Sequence, residues 1–539
     1  MRVFFAVIIS LALLLPLPVF AMDQSDLMKK IDDMSRELDA LKKQMNEMKT
    51  AEKPAVAADK KADKGAMPSW LEIGGDYRFR FDSLRGKIHD YMQYNPGAQY
   101  PVPNFPFPGA TTAFFTQGLP GYTVKNDSLL LNRFGLNLKA NATEDVTVKA
   151  RLLMYKIWGH ETITPINGFF ADRGFGVFDG IIGHVPSDNA LRVDQAYATW
   201  SNIGGAPVWF SVGRRPSTGG VPTNLKQNTE KIGNAGIPGL MVDYAFDGLT
   251  VGAAPDIDAL PGAYAKICYG RGFDSGFKSQ FNSIKDTDFL GIQVVPFDTD
   301  NLHAELQWQR GFNIFNVPSD GGSFAGLNIP VTTNMGDIDW FGGVVLARLP
   351  KLGNGDLNLF ASATMSSSHP NTNTFGLPFF SINGGAPINA GFGLLYDDDP
   401  STLAVDRKSH TGGAVYLGGR YDFNATGTKI GLEYNHGSKY WIGMLPAADD
   451  LWTSKLGTRG DVYEAYIIQE LKQKPFSKKG KAFVRLGYQY YSFDYTGSNN
   501  WVGEPKKIKD LNAFDPSKTQ LFAPVKTAHD IYFTFDVTF

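Results

Sequence analysis

The sequence predicts an all-β transmembrane barrel of 16 antiparallel strands, with 18 as the alternative, preceded by a short N-terminal α-helical coiled coil. Three observations predict this class. The chain ends in a nine-residue alternation of apolar and polar side chains, short turns alternate with long irregular segments, and no run of 18 apolar residues follows the N-terminal leader. Bacterial single-chain membrane barrels have an even number of strands, short turns at one end and long loops at the other.

The last nine residues, 531–539, form the clearest strand. Polar side chains such as Thr534 and Asp536 lie between apolar ones, which are Ile531, Phe533, Phe535, Val537 and Phe539. One face is therefore apolar and the other mostly polar. A soluble sheet would leave such a strand as an exposed edge, whereas a barrel closed in lipid has no edge. The pattern resembles the C-terminal assembly signal that outer-membrane barrels present to their insertion machinery.

Composition excludes several classes of protein. The 539 residues carry 52 Lys and Arg against 54 Asp and Glu, so there is no basic excess for binding nucleic acid. The 58 Gly, 39 Phe and 22 Tyr suit a β protein with many turns and aromatic girdles. The single cysteine, Cys268, excludes an internal disulfide, and no C-x-x-C-H motif is present to attach a c-type haem.

The N-terminal residues 1–21 predict a secretory signal peptide. A short basic head at Arg2 precedes an apolar run from Val3 to Leu15, and the most favourable cleavage site follows Ala21. Export together with barrel strands indicates the outer membrane of a Gram-negative bacterium.

Residues 22–50 predict a coiled coil in the periplasm. Its apolar positions step by alternating intervals of four and three residues, with charged residues between them, at Leu27, Ile31, Met34, Leu38, Leu41, Met45 and Met48. An amphipathic helix packed on its own domain or lying on a membrane is the alternative. The narrow stripe favours self-association, with a homotrimer as the preferred state. Residues 51–68, rich in Ala, Lys, Asp and Pro, predict a flexible linker.

Residues 69–539 form the predicted barrel. Its first strand, starting at Leu71, alternates apolar residues with Glu72, Asp76, Arg78 and Arg80. Seven hairpins follow, at 130–141 and 146–154, 191–203 and 207–215, 238–247 and 249–255, 288–297 and 302–312, 338–349 and 356–366, 412–423 and 429–440, and 461–471 and 481–495. With the first and last strands these make 16. A further segment, 263–269, could belong to an extra pair and raise the number to 18.

Charged side chains on the polar strand faces predict the pore lining. They are Arg78, Arg80, Arg133, Lys149, Arg151, Arg192, Asp194, Arg214, Arg215, Glu305, Glu433 and Arg485. A barrel of this size encloses an aqueous channel, so we expect these groups to be hydrated. Arginine keeps its charge, and several along one wall would favour anions. Pairing of each arginine with a neighbouring carboxylate, which would leave selectivity unaffected, is the open alternative.

The whole chain resembles Gram-negative outer-membrane general porins, on its signal peptide, alternating strands, loop asymmetry and terminal Phe539. Gly213 to Pro216, Gly-Arg-Arg-Pro, also resembles the Gly-Arg-x-Pro strand end of these porins. The resemblance implies that the third long loop, residues 216–237, folds into the channel. Its constriction residues Lys226, Glu230 and Lys231 would then face Arg214 and Arg215.

More narrowly, the chain resembles the porin-like proteins of sulfate- and metal-reducing bacteria that combine a signal peptide, a coiled coil and a barrel. That resemblance implies a passive, water-filled channel for small hydrophilic solutes, with outer-membrane lipid and the barrel-assembly machinery as partners. The arginines of the wall would make such a channel lean toward anions. It also allows the helix to reach the cell wall.

Other functional classes compete with the porin. The first is the sheath of an electron conduit, in which separate multihaem cytochromes occupy the barrel. The second is an outer-membrane enzyme, but no Gly-x-Ser-x-Gly, His-Glu-x-x-His, P-loop or Cys/His cluster occurs. A soluble secreted β protein is the third. We expect no enzyme activity, no cofactor and no metal site.

Overall fold

The computed structural model describes residues 68–100, 113–160, 186–216, 219–233, 236–280, 282–316, 323–324, 327–328, 333–379, 388–398, 407–445, 449–472, 480–515, 518, 520 and 522–539. The chain divides into residues 1–66 and residues 67–539, and the second unit is a β-barrel. The predicted signal peptide, coiled-coil seam and nearly all of the linker lie outside the described residues and remain predictions.

Sixteen strands form the closed barrel. They are β1 (Leu71–Ile88), β4 (Tyr122–Asn141), β5 (Val146–Ile157), β6 (Arg192–Trp200), β7 (Val208–Arg214), β8 (Asp247–Ala253), β9 (Tyr264–Phe273), β10 (Thr287–Asp298), β11 (Leu302–Phe315), β14 (Asn334–Leu352), β15 (Gly355–Pro370), β19 (Thr411–Phe423), β20 (Thr428–Gly437), β21 (Gly460–Glu470), β22 (Lys481–Phe493) and β23 (Val525–Thr538). The loops carry small sheets of β2 (Tyr91–Tyr100) with β3 (Ala113–Leu119), β12 (Ser323–Phe324) with β13 (Leu327–Asn328), and β16 (Phe375–Phe379) with β17 (Ile388–Phe392) and β18 (Asp397–Asp398).

The first and last strands close the barrel. β1 pairs antiparallel with β23 on one side and with β4 on the other. Phe79 lies opposite Phe535 and Arg80 opposite Thr534, so the apolar side chains of both strands share one face. The prediction of 16 antiparallel strands is confirmed, and the alternative of 18 is wrong.

The barrel is apolar outside and polar inside. Leu306 is 56% exposed while the preceding Glu305 is 4% exposed, and Leu432 is 64% exposed while Glu433 is 5% exposed. Neighbouring residues of a strand point to opposite faces, so the exposed leucines mark the outer surface and the glutamates the lumen. In the terminal strand, Ile531 and Phe539 are exposed while Tyr532 is buried inside.

One predicted hairpin is wrong. Residues 238–246 are not a strand, and β8 pairs instead with β9, which covers the segment held above as the possible extra strand. Consecutive residues of the mispredicted segment are buried together, as in Leu240, Met241 and Val242. A short apolar run without strict alternation fits a buried loop as well as a strand, which explains the error.

Three long connections fold into the barrel. We call them the β7–β8 loop (215–246), the β20–β21 loop (438–459) and the β22–β23 loop (494–524). The first contains the short helix Thr223–Gln227, and the other two contain the 3₁₀ turns Lys455–Gly457 and Ile508–Asp510. A third 3₁₀ turn, Ile203–Gly205, lies between β6 and β7. In the ranges that the structure describes, no helix has the length and apolar character needed to cross a membrane.

The main hydrophobic core lies in the lumen, between these loops and the wall. It joins Met241 and Trp441 of the loops to Trp340 of β14, and all three are at most 1% exposed. The indole N–H of Trp340 donates to the carbonyl oxygen of Ile442 at 2.8 Å, and that of Trp501 donates to Phe315 at 2.8 Å. The loops are therefore packed and hydrogen-bonded into the barrel rather than laid over its mouth.

Candidate functional site

Two groups of inward polar and charged side chains differ in their contact with water. The packed flank lies on β1 and β20–β23 and comprises Arg78, Arg80, Asp82, Glu433, Glu464, Arg485, Gln489, Asp530 and Asp536 of the wall with Lys226, Asp449, Asp450 and Lys455 of the loops. The basic flank lies on β1 and β4–β6 and comprises Asp76, Arg133, Asn137, Lys149, Arg151 and Asp194.

Asp449 of the β20–β21 loop is the centre of the packed flank. Arg485 Nη2 lies 2.8 Å from Asp449 Oδ2, and Arg78 pairs with both Asp449 and Asp536. Arg80 donates to the main-chain oxygen of Asp449 at 2.6 Å. Burial opposes ionisation of the Asp449 carboxyl, but the three guanidinium groups hold its pKa well below the usual range. The loop is therefore attached to the wall by charge-assisted hydrogen bonds.

Two buried lysines attach the loops at a second point. Lys226 Nζ lies 2.9 Å from Asp450 and 2.8 Å from Glu464. Lys455 Nζ lies 2.5 Å from the other oxygen of Glu464 and also pairs with Glu433. Asp450, Glu464 and Glu433 share these two lysines, so removing either lysine would leave uncompensated buried negative charge, at a cost of about 3–5 kcal/mol.

The packed flank corrects the expectation of hydrated pore arginines. Arg78, Arg80 and Arg485 point into the lumen, but they are only 3%, 0% and 0% exposed. The loops cover them and their carboxylate partners neutralise them. For these three residues the pairing alternative applies, because a buried ion pair offers no field to a passing anion.

In the basic flank, Arg151 is central. Its Nη2 lies 2.7 Å from Asp76 Oδ1, its Nε lies 3.3 Å from Asp194 Oδ2, and its Nη1 donates to Asn137 at 2.7 Å. Arg133 lies 3.7 Å from the other oxygen of Asp76. The register explains this grouping. Asp76 of β1 lies opposite Gly135 of β4, and two residues further along β4, Asn137 lies opposite Arg151 of β5.

Water reaches the basic flank. The side chains of Arg133, Asp76 and Arg151 are 23%, 19% and 16% exposed, and Lys149 and Asn137 are exposed. The group has three cations and two carboxylates. It therefore presents a partly solvated wall with a small positive excess.

The remaining predicted wall residues are spread over the barrel. Arg192 pairs with Asp188 at 2.6 Å, at the end of β6 that follows a long connection. Glu305 points inward and accepts a hydrogen bond from Gln293 at 2.6 Å. Arg215 donates to the inward-facing Thr250.

Arg214 is the last residue of β7 and lies at the rim of the strand rather than along the wall. Its Nη2 pairs with Asp247 Oδ2 at 3.0 Å, across the β7–β8 register. Its place in the pore lining stays a prediction.

The predicted constriction loop enters the lumen, but its charges lie elsewhere than expected. Lys226 lies in the packed flank rather than opposite Arg215. Lys231 binds Asp298 at 2.6 Å, and the main-chain oxygen of Thr299 at 2.7 Å, at a short turn. Glu230 is highly exposed, 3.8 Å from Lys481. The β7–β8 loop thus runs through the lumen from its long-loop end to its short-turn end.

Sequence reasoning missed the β20–β21 and β22–β23 loops. Their Trp441 and Trp501 are fully buried in the lumen. Tryptophans and apolar residues within segments that look like solvent-exposed loops were the available signal, since a freely solvated loop has no need of them.

The described residues offer no obvious metal site. Within the described ranges, no three His, Cys, Asp or Glu side chains are grouped so that they could hold a metal ion. Glu433 and Glu464, which do come together, share Lys455 instead. We assign no metal or cofactor to this lumen.

A family model described as "Protein of unknown function (DUF3373)" matches residues 123–539. The chain belongs to this family. The match spans every barrel strand after β1 and begins within β4. No curated protein matches this DUF3373 chain.

Solved structures similar to the DUF3373 chain include several outer-membrane proteins. OmpT of Vibrio cholerae, in a trimer form, is 10% identical with a TM-score of 0.37, over 87% of this chain and 99% of that one. OprB of Pseudomonas putida is 12% identical with a TM-score of 0.39, over 87% and 94%. An anion-selective porin from Comamonas acidovorans is 9% identical with a TM-score of 0.40, over 87% and 99%.

Proposed function

We propose that this protein is an outer-membrane porin-type channel for small hydrophilic solutes, and that its passage runs along the basic flank. The observation that carries the proposal is the contrast within the lumen. The packed flank is sealed by loops, whereas Arg133, Lys149 and Arg151 remain in contact with water. A 16-strand barrel is wide enough for an aqueous channel, and inward-folded loops reduce it to a narrow one.

The outer surface supports a membrane location. Exposed leucines such as Leu306, Leu432 and Leu486 would be costly in water as a continuous surface, whereas lipid accommodates them. In this proposal residues 1–21 direct export, and Ile531, Phe533, Phe535, Val537 and Phe539 engage the assembly machinery. The coiled coil at 22–50 holds three copies together in the periplasm.

The basic flank supports a preference for anions. Three cations against two carboxylates give a small positive excess, and the guanidinium groups remain charged at any physiological pH. The preference is therefore expected to be modest rather than strict.

The occupied lumen disfavours the conduit alternative. A barrel that sheathes a separate cytochrome needs free space inside, but here Trp340, Trp441 and Trp501 pack in the lumen. We do not propose enzyme activity, because the charged side chains of the packed flank are engaged in ion pairs.

Single-channel recording of the purified full-length protein in planar bilayers tests this proposal. We expect small conductance steps that occur in groups of three, with a reversal potential leaning toward anions in a salt gradient. Correctly folded protein, verified by its heat-modifiable mobility in gels, that shows no conductance at all would contradict the channel.

A further inference from the structure

A basic patch lies on the outer wall of the barrel, at the long-loop end of β1. We call it the outer basic patch and define it by Arg85 and Lys87 of β1 and Lys125 of β4. All three side chains are exposed, whereas Leu84 and Ile88 of β1 are each only 4% exposed. Because neighbouring residues of a strand point to opposite faces, Arg85 and Lys87 lie on the outer surface.

The strand register brings these cations together. Arg85 lies opposite Lys125 on one side and opposite His529 of β23 on the other. Side chains that face each other across an antiparallel pair have Cβ atoms about 5 Å apart, and like charges in such a pair repel. The pairing of Arg85 with Lys125 therefore costs stability that a negatively charged ligand between them would restore.

Few carboxylates offset the patch. Lys125 pairs with Asp127 at 2.9 Å. Arg85 and Lys87 form no ion pair with any residue that the structure describes. Asp90, the next carboxylate along the chain, lies beyond the end of β1. The outward positions of these two strands thus present three cations against one carboxylate at this end of the barrel.

The position of the patch along β1 corresponds to the surface of a membrane. Below it, β1 presents an outward apolar stripe, which consists of Leu71, Ile73, Tyr77, Phe79 and Phe81. With a rise of about 3.4 Å per residue and a strand tilt of about 40°, the stretch from Leu71 to Phe81 is about 26 Å tall. The outward apolar band of an outer-membrane barrel is about 25 Å tall. The stripe therefore accounts for the hydrocarbon layer, and the patch follows it at the level of the lipid headgroups.

Aromatic side chains next to the patch indicate the same depth. The hydroxyl of Tyr488 on β22 lies 2.6 Å from Nδ1 of His529, and the rings of Tyr490 and His529 are 5.0 Å apart. Tyr488 is 40% exposed, on the outer surface. Tyrosine is enriched at both membrane–water interfaces. This end of β22 and β23 therefore has the composition of a membrane surface, independently of the charges on β1.

We propose that the outer basic patch binds the phosphate groups of an anionic lipid in the outer leaflet of the membrane. The guanidinium of Arg85 would hold a phosphate through two N–H groups, and Lys87 and Lys125 would add positive charge. The apolar stripe directly below, at Phe79 and Phe81, would contact the acyl chains, which favours a lipid over free phosphate. The inference goes beyond the proposed channel and depends only on the membrane location of the barrel.

Native mass spectrometry of the full-length protein, released from detergent after incubation with lipid, tests the patch. The probes are diphosphoryl lipid A, monophosphoryl lipid A and phosphatidylcholine. We expect diphosphoryl lipid A to be retained on the protein, monophosphoryl lipid A to be retained less, and phosphatidylcholine to remain at background. An excess of inorganic phosphate should not displace the diphosphoryl lipid.

Paired substitutions identify the cations responsible. Arg85→Gln with Lys87→Gln should weaken retention of diphosphoryl lipid A about tenfold or more, because two cations at the lipid surface are lost. Arg85→Lys with Lys87→Arg keeps both charges and should retain the lipid. The matched control is Lys278→Gln with Lys351→Gln, which removes the same charge from the exposed β9–β10 connection and from the short-turn end of β14. Heat-modifiable mobility in gels verifies the fold of each variant.

Three results would overturn the patch as a lipid site. They are equal losses of lipid in the Gln pair and the control pair, retention of phosphatidylcholine as strong as that of diphosphoryl lipid A, and displacement of the lipid by inorganic phosphate alone. Conductance of the same preparations separates this inference from the channel. Protein that conducts but retains no anionic lipid keeps the channel and loses the patch, whereas protein that retains the lipid as expected but never conducts keeps the patch and loses the channel.

Discussion

The two flanks of the lumen start from the same sequence pattern and end in opposite states. On β22, Arg485 alternates with outward apolar residues, as Arg151 does on β5. Arg485 is fully buried beneath two loops, whereas Arg151 keeps 16% of its side chain in contact with water. Alternation decides which face a charge occupies, and the long loops decide whether that charge is part of a channel or of a core.

The two flanks should differ most in how far a substitution lowers the free energy of unfolding. Arg485→Met leaves Asp449 with one guanidinium fewer and removes a hydrogen bond of 2.5 Å to the main-chain oxygen of Lys226, so we expect a loss of about 3–5 kcal/mol. The matched Arg133→Met breaks a partly exposed 3.7 Å pair and should cost about 1 kcal/mol or less. Urea unfolding of both proteins, followed by gel mobility, measures the difference. Equal losses would show that the two flanks are not physically distinct.

Conductance should respond to release of the β7–β8 loop. Lys226→Ala leaves Asp450 and Glu464 each without one buried partner, and should loosen the loop and raise single-channel conductance. Glu230→Ala in the same loop is the control, because Glu230 is highly exposed and its ion pair with the exposed Lys481, at 3.8 Å, is weak. If both substitutions leave conductance unchanged, the loop does not limit the passage.

Ion selectivity should depend on the basic flank. The double substitution Arg133→Gln and Arg151→Gln leaves two carboxylates and one lysine there, so the reversal potential in a salt gradient should move toward cations. The control is Lys278→Gln, for which we expect no movement. A reversal potential that stays constant in the double variant would place the passage elsewhere.

Of these changes, lowering the pH from 7 to 4 should have the smallest effect on single-channel conductance. The pKa of Asp449 in the folded protein is held below its ordinary value. The stability that its ion pairs contribute is therefore fully present at any pH above the ordinary pKa, and it is lost only as the pH falls through the lowered pKa. Conductance should therefore be the same at pH 7 and pH 4. A rise in conductance already at pH 4 would mean that Asp449 does not hold the loop.

The barrel was predictable because its signals are local. Alternation from Leu71 onward and from Ile531 to Phe539 needs only the period of a strand, and the even number of strands follows from the loop asymmetry. The segment 238–246 was mispredicted because its apolar residues, among them Met241 and Val242, are buried inside the lumen and not paired in the wall.

The site was predictable only in part, because it depends on contacts between distant segments. Lys226 and Glu464 lie 238 positions apart in the sequence, yet form an ion pair of 2.8 Å. No periodicity relates them. In contrast, the inward direction of Arg133 and Arg151 follows from alternation. The sequence did not indicate that the long loops would cover other wall arginines and leave these two in contact with water.

Thiol accessibility at one inward position in each flank tests the central claim most directly. In a Cys268→Ser background, Asn137→Cys replaces an exposed residue of the basic flank and Gln489→Cys replaces a fully buried one of the packed flank. We expect a hydrophilic thiol reagent to label Asn137→Cys rapidly in the folded protein and Gln489→Cys only after unfolding. Equally rapid labelling at both positions would contradict a lumen that is packed on one side and hydrated on the other.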